Sequence, residues 1–207
     1  MKIIRIANNE QPEFDRELIA SLPASGPRYT SYPTADRFHK DFNEQEYIRT
    51  LELRQAGALN KPLSLYIHIP FCDTICYYCG CNKIITKDTA RADQYLGYLK
   101  KEFALQAELL QGKPELAQLH FGGGTPTALD TPDLVRLIRA CYQYLPLADE
   151  CEFTLEGRMS HFGLDKARAA VEAGVNRISI GIQTFNTAIR RRLGRKHSGE
   201  EAYGYLK

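Results

Sequence analysis

The chain has 207 residues, a net charge of +2, and 43% apolar and 25% charged side chains. That is the balance of a globular protein, and so small a net charge gives no reason to expect nucleic acid or a membrane surface as partner. No apolar run approaches the ~20 residues of a membrane helix, and Met1-Lys2-Ile3-Ile4-Arg5-Ile6-Ala7 carries charges where an export signal would be apolar, so the expected location is the cytosol.

Residues 1–62 read as an N-terminal extension. Ser25-Gly26-Pro27-Arg28-Tyr29-Thr30-Ser31-Tyr32-Pro33-Thr34 is rich in turn formers and predicts an ordered loop. Asn43–Ala58 predicts a helix. From Leu63 onward strand and helix alternate. The first strand is Leu63–Ile69 and a helix follows over Ala90–Leu110. A strand at Leu116–Phe121 precedes a helix at Thr131–Tyr144, with Thr131 as N-cap and Pro132 in the first helical position. A third strand, Glu152–Leu155, leads to a helix at Leu164–Ala173 that stops at Gly174. The fourth strand is Arg177–Ile182, with helices from Thr187 and from Ser198.

Repeated βα units imply an α/β fold of parallel strands with helices packed outside, as a barrel or an open sheet. Sites in such folds gather at the C-terminal strand ends. Cys72, Gly122-Gly123-Gly124, Glu156 and Gln183 follow or end the four strands in turn. Residues 63–207 are expected to be the first four units of a longer barrel. Gly199–Lys207 reads as helix interior without a cap. The fourth strand would then be an exposed edge, and the chain alone would be poorly stable.

Four of the six cysteines, Cys72, Cys76, Cys79 and Cys81, fall within ten residues. Without an export signal, such a group points to a metal site and not to disulfides. Three close thiolates at C-x3-C-x2-C spacing suit a [4Fe–4S] cluster that keeps one iron free of protein ligands, and an open iron can bind a small molecule and act on it. Zinc prefers four ligands in spaced pairs, which this spacing does not supply. A ferredoxin-like carrier would need Cys81 as fourth ligand, yet Cys81 lies only two residues past Cys79. Cys141 and Cys151 stand apart and read as packing residues. The glycine run in Phe121-Gly122-Gly123-Gly124-Thr125-Pro126-Thr127 allows backbone to approach a ligand.

Several stretches together resemble the radical S-adenosylmethionine (SAM) superfamily. They are Tyr66-Ile67-His68-Ile69-Pro70-Phe71-Cys72 with its cysteine spacing, Gly-Gly-Gly-Thr-Pro-Thr, Glu156, and Ser179-Ile180-Gly181-Ile182-Gln183-Thr184-Phe185. Pro27–Thr34 and Cys79-Gly80-Cys81-Asn82-Lys83 are similar to the oxygen-independent coproporphyrinogen III oxidase group within it. The resemblance implies a partial parallel (β/α) barrel of the radical SAM type. It implies that Cys72, Cys76 and Cys79 bind three irons of a [4Fe-4S] cluster, and that S-adenosyl-L-methionine binds the fourth through its amino and carboxylate groups. One electron would cleave the sulfonium to give a 5′-deoxyadenosyl radical that takes a hydrogen atom from the substrate. Tyr66 would lie near cluster and cofactor, Gly123, Gly124 and Thr125 at the methionine end, and Glu156 and Gln183 at the ribose. Arg195 would pair with the carboxylate; its alternative is one cation on a solvated face, Arg190–Lys196. The partners implied are a tetrapyrrole substrate and a reductase or flavodoxin-like electron donor.

The oxidase pattern ends its third strand in Glu-Val-Asp-Pro, whereas this chain has Leu155-Glu156-Gly157-Arg158-Met159. That departure resembles a sister branch, the anaerobic haem-utilisation methyltransferases, and implies haem as substrate, with Arg158 either meeting a propionate or standing as a surface arginine. The alternatives are coproporphyrinogen III oxidation and a haem-binding chaperone on the same fold. Chaperone relatives usually have an aromatic residue where Cys81 stands.

Overall fold

The computed structural model describes residues 16–22, 34–56, 62–110 and 114–207; the stretch from Ser25 to Pro33 lies outside them. The chain forms two compact units, divided between Tyr47 and Ile48. The first contains α1 (Arg16–Ser21) and a short 3-10 turn at Ala35–Arg37. The division falls within α2 (Glu44–Ala56), which begins after Asn43, whose Oδ1 accepts from Glu46 N at 3.1 Å.

The second unit is built on four parallel strands: β1 (Leu63–Ile69), β4 (Leu116–Gly123), β5 (Leu147–Gly157) and β6 (Arg177–Ile180), in that spatial order. A separate two-stranded parallel ribbon pairs β2 (Phe71–Cys72) with β3 (Ile84–Ile85). Helices α3 (Thr89–Leu109), α4 (Thr131–Tyr144) and α5 (Leu164–Glu172) make the crossovers, and α6 (Thr187–Arg192) and α7 (Gly199–Tyr205) follow β6. This is the expected α/β fold with a parallel sheet. Among the described residues no helix is long and apolar enough to cross a membrane.

Alternation along the strands decides where the core lies. Ile67, Ile69, Leu119, Phe121, Phe153 and Leu155 are buried, and they pack with Leu96, Leu99 and Phe103 of α3 and Leu134, Leu137 and Ile138 of α4. Phe121 and Phe153 meet with ring centroids 5.4 Å apart. Each such side chain contributes about 1.5–3 kcal/mol by leaving water. The opposite face is polar and hydrogen-bonded along itself. Ser64 Oγ donates to Gln118 Oε1 at 2.9 Å, the Tyr66 ring lies 5.4 Å from His120, and Arg177 pairs with Glu152 at 2.7 Å.

Several boundaries differ from expectation. Asp130, not Thr131, caps α4, because its carboxylate accepts from Asp133 N at 2.9 Å while Thr131 and Pro132 form the first turn. β5 begins at Leu147, five residues earlier than its apolar core suggests, since Asp149 and Glu150 hide its alternation. β6 ends at Ile180 and gives way to a tight turn. α7 is not an uncapped interior: Ser198 and Glu201 form a reciprocal capping box. Neither β2 nor β3 is visible as a strand in the sequence, because two residues show no periodicity.

Candidate functional site

The cysteine loop is closed at its base by the ribbon. Ile84 N donates to Pro70 O at 2.8 Å and Thr86 N to Cys72 O at 2.9 Å, so residues 73–83 must return to where they left. Cys72 is buried, Cys76 and Cys79 are half-buried, and Cys81 is exposed. Inside the loop Cys79 N donates to Cys76 O at 3.1 Å. Lys83 Nζ donates to the carbonyls of Cys79 and Cys81, each at 3.3 Å.

The end of β4 presses against this loop. Gly123 has φ +119, and a Cβ there would stand 2.8 Å from Ile69 O and 2.9 Å from the His68 ring, so only glycine fits. A Cβ at Gly124 would lie 2.9 Å from Cys72 Sγ. Thr125 Oγ1 is 3.4 Å from Cys72 Sγ and 2.8 Å from Gly124 O. Either group can donate in the contact between the hydroxyl and the sulfur. A metal-bound thiolate has no proton, and the hydroxyl can then turn to the sulfur.

A cleft of about 280 Å³ opens between the loop and the strand ends, with the three motif cysteines, Gly124, Thr125, Glu156, Gln183 and Arg195 on its wall. Glu156 is oriented by His120, whose Nε2 lies 3.0 Å from Oε1, and by Gly123 N, 3.4 Å from Oε2. Gln183 has φ +72, uncommon for any residue but glycine. Its turn is braced by Arg190, which is buried and donates from NH1 to Ile182 O at 2.6 Å and Thr184 O at 2.9 Å. Arg190–Lys196 is therefore not one solvated face. Arg195 donates from NH2 to Tyr78 OH at 2.5 Å, while among the described residues its buried Nε has no acceptor.

Tyr66 and Gly123 are not among the residues that line the cleft. Tyr66 bonds His68 Nδ1 at 3.1 Å, and His68 Nε2 lies 2.8 Å from Asn82 O. A carbonyl accepts only, so Nε2 carries the proton and Tyr66 donates. Burial, then the charges of Glu156 and Cys81, push the Tyr66 hydroxyl above its ordinary range. Sequence reasoning missed Thr74, Tyr78, Lys83, Ser179 and Gly181, which also line the cleft. Proximity to the cysteines and the fourth strand end was the available signal.

The thiols differ. Burial raises Cys72, with the Thr125 bond opposing. Cys79 is lowered, first by the backbone N–H of Cys81 and further by Lys83. Cys81 is raised by burial and by the charge of Cys79. Among the described residues no three His, Cys, Asp or Glu side chains converge as ligands of one ion would. A cubane takes its thiolates on separate irons, so its sulfurs surround a cluster and stand farther apart than the ligands of a single ion. The cysteines, the tight glycine contact and the unpartnered Arg195 Nε suit an iron–sulfur cluster with an anionic ligand beside it.

The profile of the radical SAM superfamily matches residues 66–206. The chain belongs to this superfamily. Oxygen-independent coproporphyrinogen III oxidase from Escherichia coli is 40% identical over 197 residues, 95% of this chain and 42% of that protein. The Pseudomonas aeruginosa protein of the same name is 40% identical over 91% of this chain and 41% of its own. One from Mannheimia haemolytica is 41% identical over 69% of this chain and 94% of its own. A solved structure, coproporphyrinogen III oxidase from Escherichia coli, superposes with a TM-score of 0.81 at 38% identity, over 95% of this chain and 43% of that one. The radical SAM chain thus spans 42% of the length of its Escherichia coli relative. These relatives carry the oxidase name, and the haem-utilisation branch suggested by Gly157 and Arg158 is not among them.

Proposed function

We propose that this chain carries the cluster and cofactor site of a radical SAM enzyme that oxidises coproporphyrinogen III, removing propionate carboxyls to leave vinyl groups. The observation that supports it is the cleft of three motif cysteines facing Gly124, Thr125, Glu156, Gln183 and Arg195, in a chain 40% identical to an oxidase over 95% of its length. Cys72, Cys76 and Cys79 hold the [4Fe-4S] cluster. When bound, cluster and S-adenosylmethionine supply reductive cleavage of the sulfonium and hence hydrogen-atom abstraction from an unactivated carbon.

The protein's own part is orientation. Gly123 and Gly124 let the β4 end reach the sulfur of Cys72. Glu156, held by His120, accepts from ribose hydroxyls, and Gln183 reaches the same end from the turn after the neighbouring strand β6. The guanidinium of Arg195 borders the cleft and offers the methionine carboxylate a charged N–H donor. A flavodoxin-like or reductase donor supplies the electron. Haem as substrate is the second reading, favoured by Gly157 and Arg158 alone.

The test is anaerobic reconstitution of the chain, reduction with S-adenosylmethionine, and chromatography for 5′-deoxyadenosine. The nucleoside is expected from the parent and not from Cys76→Ala. A reconstituted cluster without nucleoside refutes the reading for this chain. Consumption of haem with coproporphyrinogen III untouched moves the substrate to the second reading.

A further inference from the structure

Arg158 follows β5 at the position where the oxidase pattern has aspartate. Its side chain is only 12% exposed and lies along the wall of the cleft. NH1 donates to Thr74 Oγ1 at 2.6 Å and lies 3.6 Å from Asp73 Oδ1. The Thr74 hydroxyl donates onward to Asp73 Oδ1 at 3.4 Å. The other oxygen of Asp73 lies 3.2 Å from His161 Nε2. The backbone beneath the guanidinium is fixed as well: Arg158 N donates to Thr127 Oγ1 at 3.1 Å, and Arg158 O accepts from His161 N at 2.9 Å.

Asp73 and Thr74 directly follow Cys72 in the segment that leads to Cys76. This segment has no regular structure, and fixing an irregular residue costs about 1–2 kcal/mol of backbone entropy. Lys83 tethers the later half of the loop and Arg195 holds Tyr78. The earlier half is held by Arg158.

We propose that Arg158 is a positioning residue, clamping the Cys72–Cys76 segment through Thr74 and Asp73 so that the cysteines are set before a cluster arrives. The guanidinium borders the cleft, and its NH1 is engaged by the loop. The cluster half of this statement rests on Cys72, Cys76 and Cys79 being its ligands; the clamp itself is a property of the chain without cluster.

Two measurements on the full chain test it. The first uses no cluster. Chymotrypsin cuts after aromatic residues, and Tyr77 is 76% exposed in the loop. Cutting at Tyr77 and Tyr78 is followed by mass spectrometry against cutting at Tyr203, a distant site 56% exposed. Losing a charged hydrogen bond should quicken loop cutting in Arg158→Met by about tenfold or more, with Tyr203 unchanged. Arg158→Lys, which keeps charge without the planar fork, should restore part of the protection. Thr74→Val added to Arg158→Met should add nothing, because both remove one interaction. Equal cutting in Arg158→Met and parent, or equal acceleration at Tyr203, overturns the clamp.

The second measurement follows the anaerobic loss of a reconstituted cluster to a chelator by absorbance. Release about ten- to hundredfold faster from Arg158→Met is expected, the usual range for an outer partner of a metal site. Unchanged release overturns the part of the proposal that concerns the cluster. Failure of the parent to take up any cluster refutes the ligand assignment and leaves the proteolysis result standing on its own.

Discussion

Replacing Gly124 by alanine adds one methyl group at a tight junction of the site. The new Cβ would lie 2.8 Å from Pro70 O, 2.9 Å from Phe71 O and 2.9 Å from Cys72 Sγ. Carbon and oxygen need over 3 Å, so each neighbour must yield by several tenths of an ångström. Two of the three are backbone carbonyls, and the segment they belong to is pinned by the ribbon, through Ile84 N on Pro70 O at 2.8 Å. Relief must therefore come from shifting β2 or the β4 end. Overpacking of this kind costs about 1–3 kcal/mol. With a urea slope near 2 kcal/mol per molar, the midpoint of the chain without cluster should fall by about 1 M. Because Cys72 Sγ is one of the displaced atoms, iron uptake on reconstitution should fall too. Gly97→Ala is the control. Gly97 lies in α3 with nothing within 4 Å of its Cβ position, so alanine there should stabilise by about 0.5–1 kcal/mol. If Gly124→Ala unfolds at the parent midpoint and takes up as much iron, the packing argument is wrong.

Asn176 joins the turn after α5 to β5, accepting from Phe153 N and donating to Cys151 O, both at 2.8 Å. Asn176→Ala should cost about 2–3 kcal/mol in urea unfolding, and Asn176→Asp, which keeps the acceptor, should cost less. Burial pushes Cys141 and Tyr142 up to about 12 each, from ordinary values of 9.0 and 10.0. The unfolded chain loses these protons first. The stability they contribute is complete below pH 9.0 and is lost as the pH rises toward about 12. Cys141→Val should blunt that loss, and an equal alkaline fall in both proteins would count against the assignment. Ser198→Ala removes one arm of the capping box and should weaken α7 by about 1 kcal/mol, seen as faster amide exchange in Gly199–Tyr205.

The βα order was legible because each crossover helix and strand is long enough to show its period, and because Gly174 and Pro132 punctuate it. The strand ends were legible as a site for the same reason: Cys72, Gly124, Glu156 and Gln183 are placed by topology alone, and one cleft does hold them. Contacts made by irregular backbone were not legible. The basic run around Arg190 reads as a solvated face, yet Arg190 is 2% exposed, because its acceptors are carbonyls of a turn that carries no sequence signature. Arg158 reads as a cation for a ligand or as a surface arginine, and nothing in the sequence signals that its NH1 binds Thr74, 84 residues away. Tyr66 illustrates a further limit. Motif position sets it near the site, but whether its hydroxyl points at the cleft or at His68 depends on a rotamer.

The two faces of the parallel sheet divide the labour between folding and chemistry. The face under α3 and α4 holds the apolar side chains whose burial drives collapse. The other carries Ser64, Tyr66, Gln118, His120, Glu152, Glu156 and Arg177, whose donors and acceptors are linked sideways across neighbouring strands. Water can wet such a surface without competing for the core. Replacements there leave the apolar burial untouched on the far side of the strands, and at Glu156, where this face meets the cleft, they bear on the site itself. The face is thus open to substitution at little risk to the scaffold behind it.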